Sequence, residues 1–209
     1  MDKSVVSLWW YIKLGAPSAL TTEIVGDLLV VAMQTGDRDS PQATLLTLDK
    51  ENGEKQWLTN FENNLIGGIA SSGLQTGAEL FLTSNNPDFF NTEVFVYCFR
   101  KNGAQRWVWQ DEAYTISAPA FFGGALYFTV DSQILICLEA ETGMERLRVQ
   151  LDLPASFAAP VCHGEIIVIP GSGSYLLGYN KTSKSQWQYH AQGSGWFEKT
   201  PAITGECVL

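Results

Sequence analysis

Four cysteines, two histidines and a few acidic or glycine-rich runs are the residues here that could do chemistry. Their spacing argues against most of it. Cys98, Cys137, Cys162 and Cys207 stand singly, none in a C-x-x-C pair, so the spacing of zinc sites and thiol redox motifs is absent. Each lies in an apolar run, as in Tyr97-Cys98-Phe99 and Ile136-Cys137-Leu138, which predicts buried thiols on strands. A disulfide between two of them stays open at this level. His163 and His190 are too few for a histidine metal cluster, and no G-x-S-x-G nucleophile motif accompanies them. Asp37-Arg38-Asp39-Ser40 alternates acids as a calcium loop does, but Arg38 intrudes and no distal Glu follows in place, so a solvated loop is expected. Gly171-Ser172-Gly173-Ser174 reads as a flexible turn with no helix after it to cradle a phosphate. No catalytic set, cofactor or metal is expected from these residues.

The elements that would have to position any site are repeated. Leu48 to Trp57, Phe99 to Trp107, Leu138 to Leu147 and Gly178 to Trp187 are related segments. Their closing residues, Trp57, Trp107, Leu147 and Trp187, follow one another at 50, 40 and 40 positions. A period near 40 marks a fold built from one supersecondary unit per repeat. About 16 to 18 residues after a closing position, a Gly precedes a short apolar strand. Gly26, Gly123, Gly164 and Gly205 do this, with Gly73 a looser case. Pro119, Pro160 and Pro201 recur at intervals of 41.

Each repeat divides into four short strands. Repeat three reads as Ser117 to Phe122, Ala125 to Val130, Gln133 to Glu139 and Glu145 to Val149, broken at Gly123-Gly124, Asp131-Ser132 and Glu141-Thr142-Gly143. Apolar segments rich in Val, Ile, Phe and Tyr and split by Gly, Asn and Asp are the strand-and-turn pattern. No stretch carries a sustained helical period. A four-stranded antiparallel meander at this period is a β-propeller blade. Asn52-Gly53 and Asn102-Gly103 are expected to supply the positive-φ turn between the two outer strands. The closing Trp is expected to be buried, filling the wedge between neighbouring blades.

The pattern A-x-D-x-x-T-G-x-x-x-W is the tryptophan-docking repeat of quinoprotein-like (PQQ-like) propellers. Thr47-x-Asp49-x-x-Asn52-Gly53-x-x-x-Trp57 resembles it. Cys137-x-Glu139-x-x-Thr142-Gly143-x-x-x-Leu147 lacks the Trp. Leu177-x-Tyr179-x-x-Thr182-Ser183-x-x-x-Trp187 lacks the Gly and the Asp, and the copy from Tyr97 to Trp107 has Phe99 for Asp. Four degenerate copies in register span nearly the whole chain. The resemblance implies an all-β propeller and does not imply quinone binding. The quinone-dependent dehydrogenases of this superfamily resemble one another in adjacent cysteines, a Trp stacking platform and acidic calcium ligands, and this sequence has no adjacent cysteines and less than half the blades they need. Lipoprotein propellers of outer-membrane assembly and sensor propellers joined to bacterial kinases are the non-enzymatic relatives it suggests.

The blades are expected at about 18–57, 65–109, 116–150 and 157–190, with a partial one at 199–209, all in one domain. Val5-Val6-Ser7-Leu8-Trp9-Trp10 resembles the outermost strand of a preceding blade. The chain is thus either a piece of a larger propeller or a small five-bladed ring closed by a composite blade.

Charge narrows the partners. Thirteen basic and 22 acidic residues give a net charge of −9. Such a surface repels phosphate backbones and anionic lipid heads, so nucleic acid is not expected as a partner. No apolar run approaches the roughly 18 residues of a membrane span. Nor does the N-terminus read as a signal peptide, so the chain as it stands is expected to be cytoplasmic, and extracytoplasmic if an upstream segment precedes it.

The surface most suited to binding a protein or small ligand is one end of the meanders. Repeats one and two have long connections between second and third strands, Gln34 to Gln42 and Ser84 to Thr92. The crossovers from outer to inner strands emerge on the same side and carry Tyr114, Phe157 and Trp196. Length variation and exposed aromatics on a rigid scaffold are the anatomy of an interaction face. Phe89, Phe90 and Trp196 are the expected anchors, and Asp37, Asp39 and Asp88 would favour a basic partner. A non-catalytic binding scaffold is the expected function. Its rival is a piece of a propeller enzyme whose active site lies on other blades.

Overall fold

Alternating apolar runs and Gly, Asn or Asp turns fold into four consecutive four-stranded antiparallel meanders. The computed structural model describes residues 10–15, 17–36, 40–62, 64–73, 77–88, 92–192, 199–204 and 207–208. Blade one contains β1 (Ala19–Val25), β2 (Leu28–Gly36), β3 (Pro41–Asp49) and β4 (Lys55–Glu62). Blade two contains β5 (Leu65–Ser71), β6 (Glu79–Asn86), β7 (Glu93–Arg100) and β8 (Gln105–Glu112). Blade three contains β9 (Ala120–Phe122), β10 (Ala125–Val130), β11 (Ile134–Glu139) and β12 (Glu145–Gln150). Blade four contains β13 (Val161–His163), β14 (Ile166–Pro170), β15 (Tyr175–Asn180) and β16 (Gln186–His190). A last hairpin joins β17 (Ile203–Thr204) to β18 (Cys207–Val208). Among the described residues there is no helix, and the architecture is a β-propeller.

Burial tells which strand lies where. Every residue of β10 is buried, so both faces of that strand meet protein. A strand buried on both faces needs a continuous apolar run rather than an alternation. The fourth strands β8 and β12 instead alternate exposed and half-buried residues, as expected at the rim. The first strands β1, β5, β9 and β13 each touch the next, which sets them around the axis.

The core is a series of seams between blades. Leu45, Leu82 and Phe99 fill the first, Phe81, Phe128 and Ile136 the second, and Leu135, Ile167 and Tyr179 the third. Burying one such side chain contributes about 1.5–3 kcal/mol.

Tryptophans fasten these seams from one blade to the next. The Trp10 indole N–H donates to the Lys50 carbonyl at 3.1 Å, Trp57 to Lys101 at 2.7 Å and Trp107 to Ala140 at 2.9 Å. Each ring lies flat against the turn glycine of the following blade. A Cβ on Gly53, Gly103 or Gly143 would come within 2.6–2.8 Å of the ring of Trp10, Trp57 or Trp107 respectively. Those glycines have φ of +75°, +83° and +73°. The glycine therefore serves twice, supplying the left-handed turn and leaving room for the incoming ring.

The docking turns differ from the sequence expectation in three ways. In blade one only the glycine of Asn52-Gly53 has positive φ, so the turn is not the two-residue mirror-image type. It is a wider turn in which Gly53 N–H bonds Asp49 O, while the Asp49 carboxylate caps the N–H groups of Glu51 and Asn52. In blade two, Cys98 rather than Tyr97 takes the place of Thr47 opposite the closing Trp, so Arg100 rather than Phe99 stands for Asp49. This hairpin is one residue shorter. In blade four, Asn180 and Lys184 take the places of Asp49 and Gly53, where Tyr179 and Ser183 were expected. Lys184 N–H bonds Asn180 O and Lys184 has φ +59°. The ladder there runs without the bulge of the other blades, which drops one residue before Trp187.

Trp187 departs from the expected burial. It is 41% exposed and its ring folds over its own cross-strand neighbour Gly178, not over another blade. Trp57 and Trp107 are half-buried and packed into the first and second seams, and Leu147 packs into the third.

Two strand lengths also differ. The ladder of β9 covers only Ala120–Phe122, because Pro119 has no N–H to donate. Just before it, the Ser117 hydroxyl accepts the Thr129 N–H at 2.9 Å. The ladders of blades one and two run into the expected long connections, as far as Gly36↔Pro41 and Asn86↔Glu93. β2 and β3 have nine residues each, against six in β10 and β11. Three more residues at about 3.4 Å each lift that hairpin roughly 10 Å above its counterpart.

Candidate functional site

The end of the propeller bearing those tall hairpins is tied together by polar side chains. Buried Gln34, near the end of β2, donates through Nε2 to the carbonyls of Gln42 and Asn64, each at 3.1 Å. Its Oε1 accepts the Ile66 N–H at 3.0 Å. The Ser84 hydroxyl, in β6, donates to the Asn64 side chain at 3.1 Å. Both hairpins are thus braced by the same crossover, the one leading from blade one to blade two.

The next crossover is held the same way. Asn85 Nδ2 donates to the Tyr114 carbonyl at 3.2 Å. The Asp131 carboxylate, in the turn after β10, accepts the N–H groups of Tyr114 at 2.8 Å and Thr115 at 3.0 Å. Further round, Ala155 N–H donates to Ser132 O and the Tyr175 hydroxyl to Pro154 O. Crossovers and second-to-third turns therefore share one face, and the docking turns share the other.

On this face Tyr114 is 61% exposed and Phe157 is 62% exposed. Their backbones are anchored, Tyr114 as described and Phe157 through its carbonyl, which accepts the Ala118 N–H at 3.0 Å. Asp88 is exposed near the tip of the blade-two hairpin. Asp37, Asp39, Phe89, Phe90 and Trp196 lie outside the described residues. The structure thus brings Tyr114, Asp131 and the base of the Asp88 hairpin together.

A pairing that the sequence did not reveal lies beside Tyr114. Glu93 opens β7 and Glu112 ends β8, directly opposite each other in the ladder. Aligning the hairpin from its far end, at Cys98↔Trp107, would have exposed it.

The opposite face carries mixed, paired charge. Lys101 meets Asp27 at 2.5 Å and holds that carboxyl below its ordinary range. Arg106 pairs with Glu79, and with Glu141 at 3.4 Å, while Arg146 pairs with Glu139. The Thr142 hydroxyl, then Arg146, lowers the Glu139 carboxyl. Arg106, Glu79, Glu141, Arg146 and Glu139 line an open cleft of ≈ 500 Å³ between blades two and three, together with Phe121 and Ser72. Both arginines are held by carboxylates, so the cleft reads as an ion-paired seam.

Nucleophilic chemistry finds little support. Cys98, Cys137 and Cys162 are free thiols. Burial pushes Cys98 and Cys162 up to about 12 and raises Cys137 as well, which disfavours the reactive thiolate. Among the described residues, no three His, Cys, Asp or Glu side chains are grouped to hold a metal. No helix there is long and apolar enough to cross a membrane.

Known structures share the fold at low identity. The chain is similar to BBS1N, solved in complex with ARL6DN, at 15% identity and TM-score 0.62, over 88% of this chain and 59% of that one. It is similar to Chaetomium thermophilum Raptor at 12% identity and TM-score 0.61, over 88% of this chain and 17% of that one. It is also similar to the Neurospora crassa Pan2 WD40 domain at 12% identity and TM-score 0.56, over 86% of this chain and 51% of that one. The chain thus spans less than two thirds of each, and the likeness is one of fold. No curated protein matches the sequence. A family model described as outer membrane protein assembly factor BamB matches residues 93–208, more than half of the chain. Four meander blades, tryptophans docked on turn glycines and this match together assign the chain to the BamB family of PQQ-like repeat propellers.

Proposed function

We infer that the chain is a non-catalytic scaffold that binds a partner protein on the face of its crossovers and tall hairpins. The observation that carries this reading is the exposure of Tyr114 and Phe157 on successive crossovers whose backbones are fixed by hydrogen bonds. Large aromatic rings held out from a rigid frame lose little conformational freedom when a partner covers them, which is why such rings dominate interface energetics. The raised hairpins of blades one and two give the face relief, and relief favours a protein segment over a flat encounter.

Selection of a displayed random-peptide library against the whole chain tests this. Peptides that bind should lose affinity on Tyr114→Ala and Phe157→Ala. They should be indifferent to Met144→Ala, a 66%-exposed residue on the opposite face. Peptides sensitive to Met144→Ala alone would overturn the reading.

A further inference from the structure

The outer edge of blade four is the least guarded of the four. Each fourth strand ends its sheet and shows solvent a row of backbone N–H and C=O groups, a template for another strand unless charge or cover blunts it. β4 carries Lys55 and Glu62, β8 carries Arg106, Asp111 and Glu112, and β12 carries Glu145, Arg146 and Arg148. β16, Gln186-Trp187-Gln188-Tyr189-His190, has no acid, lysine or arginine. Its residues from Trp187 to His190 are all exposed, so both faces of the strand are open, whereas β8 and β12 are half-buried on one face.

The ladder fixes which backbone groups point outward. Ala191 N–H donates to Ser174 O at 2.7 Å, and Asn180 N–H to Ser185 O at 3.0 Å. These bonds flank the β15–β16 register, in which Leu176 faces Tyr189 and Gly178 faces Trp187. Hydrogen-bonded pairs alternate along an antiparallel ladder, so Trp187 and Tyr189 bond inward to β15, while Gln186, Gln188 and His190 turn their backbone groups outward. The Gln186 side chain is held by blade three, with Nε2 donating to Gln150 O at 2.7 Å and Oε1 accepting the Asp152 N–H at 3.2 Å. Trp187 and Tyr189 lie on the opposite face of the strand, 41% and 58% exposed.

A strand of this pattern complements itself. We propose that β16 pairs antiparallel with β16 of a second copy about a two-fold axis through Gln188, joining the two four-stranded sheets edge to edge. Gln188 then faces Gln188 of the second copy, and Gln186 faces its His190. These are the outward-turned residues of both strands, so each such pair exchanges two backbone hydrogen bonds. Between them Trp187 faces Tyr189 of the second copy in the closer, non-bonded kind of pair, and the axis repeats that contact. Aromatic pairs across strands stabilise a sheet, and this register sets no like charges opposite each other. A five-residue strand pair is a small interface, so the dimer is weak, with Kd of roughly 10–100 μM. β16 lies on the rim rather than among the crossovers, so the proposal is independent of the binding face above.

Sedimentation velocity of the whole chain at about 150 mM salt, from about 2 to about 500 μM, tests it. The expected result is a monomer that becomes a dimer across that range. Gln188→Pro removes an outward N–H that the protein's own sheet does not use, a place where an edge strand tolerates proline. It should leave Tm within a few degrees and weaken association at least about tenfold. Gln188→Lys alone and Gln188→Glu alone put like charges face to face across the axis and should be monomeric, whereas their mixture should dimerise again. A chain still monomeric at about 500 μM would overturn the proposal, and so would a dimer that Gln188→Lys leaves intact. A mixture that stays monomeric while the unsubstituted chain dimerises would overturn it too, since Gln188 would then not lie on the axis.

Discussion

Leu147 and Lys184 form the seam that breaks the docking rule, and restoring both residues measures what the rule is worth. Leu147 stands opposite Cys137, as Trp107 stands opposite Cys98, and it packs into the seam with blade four. Lys184 holds the turn place that glycine holds in the other blades. A Trp arriving at 147 would meet the Lys184 Cβ where a Cβ on the other turn glycines lies 2.6–2.8 Å from a docked ring. Leu147→Trp alone should therefore cost about 1–3 kcal/mol as overpacking. Lys184→Gly alone removes a left-handed strain of about 1–2 kcal/mol but adds unfolded-chain freedom of about 0.5–1 kcal/mol, leaving a small gain. Together they open the site. The larger ring then buries on the order of 70 Å² more, about 2 kcal/mol, and its N–H finds a turn carbonyl for about 1 kcal/mol more. The coupling between the two changes is the overpacking avoided plus the burial gained, about 4–6 kcal/mol by these figures, at or above the upper end for residues in contact. Urea unfolding of the four proteins, compared at constant m, gives that number. Additivity within about 0.5 kcal/mol would refute the claim that ring and turn glycine work as a pair.

The other predictions use the same measurement or a close relative. Trp107→Ala should cost about 3–5 kcal/mol, since it empties a ring site in the second seam and leaves the Ala140 carbonyl without its indole donor. Gly103→Ala, with φ +83° and a Cβ 2.8 Å from Trp57, should cost more than about 2 kcal/mol, whereas Gly123→Ala, with nothing within 4 Å, should cost about 1 kcal/mol. Cys98 titrates near 9.0 when exposed and is pushed up to about 12 by burial, so the unfolded chain sheds its proton first. Its contribution is complete below about pH 9 and falls by about 1 kcal/mol per pH unit above that, a slope that Cys98→Ala should remove from urea midpoints taken across the alkaline range. Acrylamide should quench Trp187 more readily than Trp107, so Trp187→Phe should remove the more accessible part of the emission and Trp107→Phe should not.

Blade number and strand order were legible because glycine, proline and tryptophan recur at a period that few folds tolerate. Single residues inside the hairpins were less so. A bulge adds a residue to one strand only, and nothing in Phe99-Arg100-Lys101-Asn102-Gly103 marks whether Phe99 or Arg100 takes the capping place. The tall hairpins read as loops for a related reason. Gln34 and Asn85 are polar, and polar residues at strand ends resemble loop residues until Gln34 is seen buried with its amide bonded to three backbone groups. Tyr114 and Phe157 were legible as crossover aromatics, but their exposure depends on neighbours that the sequence does not order. The acid pair beside Tyr114 was missed for the same reason, since it depends on cross-strand register.

The docking residues carry a more general lesson, because each is half of a site completed by the next repeat. Trp57 needs Gly103, and Trp107 needs Gly143. Read within a single repeat, a missing Trp in one copy and a missing Gly in another look like two separate decays of a motif. Read across the seam, Leu147 and Lys184 are one change, because a side chain at the turn leaves no room for a ring and a Leu needs none. Trp187 fits the same logic from the other side. It meets no turn of a following blade among the described residues, so its ring settles on Gly178, whose missing side chain leaves a flat place within the blade. Degeneracy in this propeller is therefore organised by interface, and the unit that sets which substitutions are tolerated is the seam.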